Sequence, residues 1–189
     1  MLARFSSLIV LALVAFTVSA CASGGSLPKL PPQPSSGAYT LDSGDKLQIT
    51  VFGEPRLTGT FLVADSGEIS MPLIGAVRAR GLTVASLESS ITSALKEGGI
   101  VLTPSVSVQL DQFRPFFVLG EVQRPGQYPY VEGMTVLTAV AIAGGFTFRA
   151  NERTMSVTRT TTGKSVEYRA ARDSRIQPGD VIYVKERYI

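Results

Sequence analysis

The chain has 189 residues, 44% hydrophobic and 17% charged, with 18 Lys+Arg against 15 Asp+Glu and a single Cys, a length that fits one ordinary domain or two small ones. The absence of His and the lone Cys exclude imidazole-assisted nucleophiles, multi-Cys metal sites and an intramolecular disulfide framework. A net charge of only +3, spread without any run of five or six like charges, offers no cationic face for nucleic acid.

Residues 1–20 read as a targeting segment. Arg4 is followed by the apolar run Leu8 to Phe16, too short to cross a hydrocarbon core but right for the apolar region of a signal peptide. The stretch Val18-Ser19-Ala20-Cys21 resembles a bacterial lipoprotein lipobox. That resemblance implies cleavage between Ala20 and Cys21 and lipidation of Cys21, with several acyl chains giving firm membrane attachment. Ala22 after the Cys favours the outer membrane over inner-membrane retention. Residues 21–38, with Ser23-Gly24-Gly25-Ser26 and Pro28, Pro31, Pro32 and Pro34, are expected to form a flexible linker.

The folded part begins near Tyr39, and 39–112 form a first module. Lys46 to Phe52 alternates, with Leu47, Ile49 and Val51 on one face. Phe61–Val63 and Glu68–Leu73 are expected to pair as a hairpin across Asp65-Ser66-Gly67, followed by a short strand at Gly75–Ala79. Thr83 caps a helix carrying Val84, Leu87, Ile91, Ala94 and Leu95, which stops at Gly98-Gly99. Ser105–Leu110 alternates again.

A second module, 113–189, follows the break at Phe113-Arg114-Pro115. Phe116–Val122 is a strongly apolar strand, Pro125 and Gly126 form a turn, and Tyr128–Val131 follows. Thr135 caps Val136–Ala143, which ends at Gly144 and Gly145. Strands at Thr154–Thr158, Ser165–Arg169 and Val181–Lys185 complete an α+β fold of two modules, each one helix on a mixed sheet. The modules echo each other. Leu41-Asp42-Ser43-Gly44-Asp45 before one alternating strand matches Ile176-Gln177-Pro178-Gly179-Asp180 before another. Gly44 and Gly179 suit a positive φ, and Asp45 and Asp180 read as turn formers rather than acids or ligands.

The segments Asp42 to Phe52, Asp65 to Gly75 and Gly81-Leu82-Thr83 resemble the export domain of bacterial polysaccharide export outer-membrane lipoproteins. Val118 to Val122 with Pro125-Gly126, Thr135 to Gly145 and Pro178 to Ile182 resemble the soluble-ligand-binding β-grasp (SLBB) module. The resemblance implies a homo-oligomeric ring that carries capsular or extracellular polysaccharide through the periplasm. Its implied partners are an inner-membrane polysaccharide co-polymerase and the polymer itself, with no cofactor and no metal. Larger relatives add a C-terminal amphipathic helix. After Lys185 only Glu186 to Ile189 remain here, so a short form that does not span the membrane is expected, with a separate outer-membrane β-barrel as the exit.

Two other readings compete. An enzyme acting on polysaccharide needs a pair of carboxylates, and Asp45, Asp65, Glu68, Glu121 and Glu132 are available, although most lie in turns. A lipid-anchored sugar-binding or scaffolding module would use aromatics such as Phe113, Tyr128, Tyr130, Phe146 and Phe148. Phe116 and Phe117 are consecutive on a strand, so one must face away from the other.

Overall fold

The computed structural model describes residues 26–32, 38–161 and 163–187. The targeting segment, Ala20 and Cys21 lie outside the described residues.

In the first module, β1 (Lys46–Val51) buries Leu47, Ile49 and Val51 and leaves the intervening residues outward. It is the middle strand of a sheet ordered β2-β1-β5, flanked antiparallel by β2 (Gly59–Leu62) and β5 (Val106–Gln112). The helix α1 (Val84–Glu97) starts where Thr83 Oγ1 accepts the Ser86 N–H. It buries Leu87, Ile91 and Leu95, each contributing roughly 1.5–3 kcal/mol on leaving water. It closes with the Gly99 and Ile100 N–H groups donating to the Lys96 and Leu95 carbonyls, the nested C-terminal pair that a glycine stop permits.

The expected hairpin across Asp65-Ser66-Gly67 is corrected. The turn forms, with the Gly67 N–H donating to the Ala64 carbonyl at 2.8 Å, but the strands beside it belong to different sheets. β2 pairs with β1, whereas β3 (Glu68–Met71) pairs with β4 (Gly75–Arg78) across Pro72 to Ile74. A turn signal fixes a reversal of the chain, not which strands pair across it. All pairings in this module are antiparallel, so its strands make two antiparallel sheets in place of one mixed sheet.

The second module is built on β6 (Phe116–Gly120), β7 (Gly126–Tyr128), α2 (Val136–Ile142), β8 (Ala150–Thr161), β9 (Lys164–Ala170) and β10 (Val181–Glu186). The sheet order is β7-β6-β10-β8-β9, with β10 parallel to β6 and antiparallel to β8. Phe116, Val118, Met155, Val157, Ile182 and Val184 point to one side and pack on Val136, Ala139, Val140 and Ala143 from α2. This core is separate from the one around Leu47 and Ile91. Gly126 is a further correction. It opens β7 opposite Val118, not the turn before it, and the strand starts earlier than expected.

Part of the expected linker is docked. The Leu30 N–H donates to the Arg169 carbonyl at 2.9 Å, and the Arg169 N–H donates to the Pro28 carbonyl at 2.8 Å. Leu30 also packs against the second core. Composition signalled a tether here; the free outer edge of β9 and one apolar side chain are enough to hold three of its residues. Among the described residues, no helix is long and apolar enough to cross a membrane.

Candidate functional site: the junction of the two modules

The two echoing turns have the same construction. The Asp45 N–H donates to the Asp42 carbonyl at 3.2 Å, and the Asp180 N–H donates to the Gln177 carbonyl at 3.1 Å. In each, the aspartate then accepts the N–H three residues back, Asp42 to Asp45 Oδ2 at 2.9 Å and Gln177 to Asp180 Oδ2 at 2.8 Å. Gly44 and Gly179 occupy positive φ, at 91° and 83°. Each turn launches the central strand of its own sheet, β1 or β10. The nine-residue echo is therefore an echo of structure as well as of letters.

Both turns converge on Arg114. Its backbone N–H donates to Asp45 Oδ1 at 2.8 Å, and the next residue's carbonyl, Pro115, accepts the Gly179 N–H at 3.1 Å. A Cβ on Gly179 would lie 2.7 Å from Arg114 Nε, and one on Gly44 would lie 3.2 Å from Arg114 Cβ. The positive φ calls for glycine at both positions, and a side chain there would also press on Arg114. The guanidinium donates to the Tyr39 hydroxyl at 2.7 Å and lies 3.6 Å from Asp45 and 3.7 Å from Asp42. The Tyr39 hydroxyl in turn donates to Asp45 Oδ2 at 2.8 Å. Edge-to-face contacts run from Tyr39 to Phe113 and from Phe113 to Tyr130, linking the start of the first module to the core of the second. Arg80 completes the hub by bonding Asp42, Ser43 and the Asp65 carbonyl.

On the other side, Arg159 grips Asp180 with two bonds of 2.9 and 2.7 Å, and both residues are buried. A cleft of about 230 Å³ separates this pair from Arg80 and Arg114. Asp45 and Asp180 are saturated by donors, Asp65 is exposed, and Glu121 accepts the Thr147 hydroxyl at 2.5 Å. Among the described residues, no three of His, Cys, Asp or Glu are grouped as metal ligands. The arrangement is a mechanical joint. It holds the two modules against each other around Arg114.

Sequence reasoning named Gly44, Asp45, Gly179 and Asp180 but missed Tyr39, Arg114 and Arg159; the only signal for Arg114 was its place at the module break, before a proline. The remaining motif residues lie elsewhere. Gly144 and Gly145 donate to Ala141 and Val140 and end α2, while the Gln123 and Arg124 N–H groups donate to Gly145 and Ala143, laying the Pro125 loop over that helix end. Phe116 is buried and Phe117 exposed.

Burial holds the Tyr39 phenol proton far above the ordinary tyrosine range, against an opposing pull from Arg114. A raised folded-state pKa contributes stability that is complete below about pH 10 and is lost as pH climbs toward the folded value. The urea midpoint is expected to fall from about pH 10 upward, and less steeply in Tyr39→Phe. Tyr130, raised in the same direction by burial, leaves a residual slope. Identical slopes in the two proteins would remove Tyr39 from this role.

Comparison with known proteins agrees with the two-part build. Residues 33–111 match the family model described as polysaccharide biosynthesis/export protein, and residues 115–170 match the SLBB domain. The exopolysaccharide production protein ExoF of Rhizobium meliloti is 35% identical over 143 residues, 70% of this chain and 32% of that protein. The polysialic acid transport protein KpsD of Escherichia coli is 32% identical over 111 residues, 57% of this chain and 19% of that one. The EPS I polysaccharide export outer membrane protein EpsA of Ralstonia solanacearum is 32% identical over 110 residues, 56% of this chain and 28% of its own length. The chain thus spans about a third or less of each of these relatives. With an export domain and an SLBB domain in tandem, together covering well over half of its residues, the chain belongs to the polysaccharide biosynthesis/export protein family.

Proposed function

We propose that this chain is a periplasmic subunit of a ring-shaped conduit for capsular or extracellular polysaccharide, held to the outer membrane by lipid on Cys21. The observation that carries the reading is the tandem of export and SLBB domains, together with the similarity to relatives named for polysaccharide production, transport and export. In this reading 1–20 are removed as a signal peptide, 21–38 lead from the lipid to the body, and 39–112 and 113–189 are the two domains. The joint at Arg114 supports it, because a conduit wall needs its two parts held at one angle while polymer passes. No bond is made or broken: the buried carboxylates are engaged by their own turns and arginines, and a passage for a mobile hydrated chain works by enclosure, not grip. An inner-membrane co-polymerase and a separate outer-membrane β-barrel are the partners this reading assigns, with copies of the chain between them.

The test is deletion and complementation in the native host. Deletion is expected to trap polymer in the periplasm, the full chain to restore secretion, and Cys21→Ala to restore it poorly while leaving the outer-membrane fraction. Electron microscopy of the detergent-extracted lipidated chain is expected to show closed rings. Secretion unaffected by deletion, or saturable polymer binding by a chain that is monomeric at every concentration, would overturn the proposal.

A further inference from the structure

The second module has two open faces, and neither carries a charged side chain at its centre. On the sheet, α2 covers one side only. The other side presents Phe117 and Leu119 from β6 beside Val181 and Tyr183 from β10, in the register Phe117↔Val181 and Leu119↔Tyr183. Leu119 is 42% exposed and Tyr183 47%. On the opposite surface of the module, α2 itself is Val136-Leu137-Thr138-Ala139-Val140-Ala141-Ile142, without a single charge. Its outward residues are Leu137, Thr138, Ala141 and Ile142, with Leu137 45% exposed. An uncharged helix face normally packs against something.

The edges of this sheet discourage strand addition. β7 has only three residues and lies between Pro125 and Pro129, and β9 carries Lys164, Glu167 and Arg169, with Pro28 to Leu30 paired to Arg169 near one end. The faces of the module are the better surfaces for association. We propose that copies of this chain stack through the second module, the exposed side of α2 of one copy seating on the bare Phe117–Leu119–Tyr183 face of the next. The inference rests on the ring reading above and names its contact. The occupant is a second copy because one module displays both halves of the match: an exposed apolar sheet face with no helix on it, and an uncharged apolar helix on its reverse. Two different surfaces back to back make a heterologous contact, which repeats in one direction and closes into a ring when the rotation allows.

The experiment uses the full lipidated chain in detergent, read by native mass spectrometry and sedimentation. Leu119→Arg and Leu137→Arg each remove one half of the contact, and each alone is expected to abolish the oligomer. Mixed in equal amounts, they retain one good pair of faces between them and are expected to give dimers and nothing larger. Both positions are exposed, so an unchanged cooperative melt is expected; if it is lost, Leu119→Gln and Leu137→Gln decide. Single variants that keep the wild-type oligomer would overturn the inference and leave the ring reading standing, as would a mixture that rebuilds the full oligomer. Variants that stay oligomeric but lose co-purifying polymer would assign these faces to the cargo instead. A wild-type chain that is monomeric throughout would sink the ring reading, and the inference with it.

Discussion

Replacing Asp180 with Ala is expected to destabilise the second module by about 3–5 kcal/mol, the cost of stranding a buried partner charge. Arg159 and Asp180 are both buried and joined by two bonds, and Asp180 also accepts the Gln177 N–H. Removing the carboxylate leaves a largely buried guanidinium without its counter-charge, and a turn N–H without its acceptor. Replacing Asp180 with Leu and Arg159 with Met together removes both charges, and the penalty is expected to fall well below that of the single change. Urea unfolding of the wild type, Asp180→Ala and the double variant measures it. If the single and double variants unfold at the same midpoint, the pair is not energetically coupled and the argument fails. A loss of this size is a large part of the roughly 5–15 kcal/mol that holds a domain together. It also frees the Gly179 turn from Arg114, so Asp180→Ala is expected to loosen the joint as well as the module.

The strands and helices were largely legible because their cores are local patterns. Leu47, Ile49 and Val51 alternate, Leu87, Ile91 and Leu95 recur at helical spacing, and Thr83 and Thr135 announce the helix starts. The Gly-Asp turns were legible for the same reason, since their hydrogen bonds close within four residues. What could not be read depends on long-range choices. Nothing in Phe61–Val63 says that β1 is its partner rather than β3. Nothing in Pro28-Lys29-Leu30 says that an unpaired β9 edge waits for it. Arg114 acquires its role only when two turns 135 residues apart are brought to its two sides. Asp42 and Arg80, 38 residues apart within one module, likewise meet only in three dimensions. Spacing finds the parts of the joint and misses the residue that unites them.

Among the glycines of the described residues, Gly120 has the closest backbone neighbour, and Gly120→Ala is expected to lower stability by more than about 3 kcal/mol, more than the left-handed backbone alone accounts for. Gly120 ends β6 at φ 85°, where the chain bends so that the Glu121 N–H reaches the Val184 carbonyl at 2.9 Å. A Cβ there would lie 2.1 Å from that same carbonyl oxygen and 3.0 Å from its carbon. Those atoms are backbone of β10, the central strand, and have no rotamer by which to move aside. Relief requires β6 and β10 to part, which breaks the one parallel pairing of the sheet and disturbs Val118 and Val184 beneath it. Two other glycines separate the causes. Gly133 has φ 85° and open space around its Cβ position, so Gly133→Ala is expected to cost about 1 kcal/mol, from conformation alone. Gly126 has neither a positive φ nor a neighbour, and Gly126→Ala is expected to change stability by less than about 0.5 kcal/mol. Urea midpoints in the order Gly126→Ala, Gly133→Ala, Gly120→Ala, falling by these steps, are the expected result. Hydrogen exchange should place the Gly120→Ala loss in β6 and β10, with α1 protected as before. A Gly120→Ala protein no weaker than Gly133→Ala would mean that β6 and β10 can part without consequence, and that the strand contact beside the bare sheet face is softer than its geometry requires.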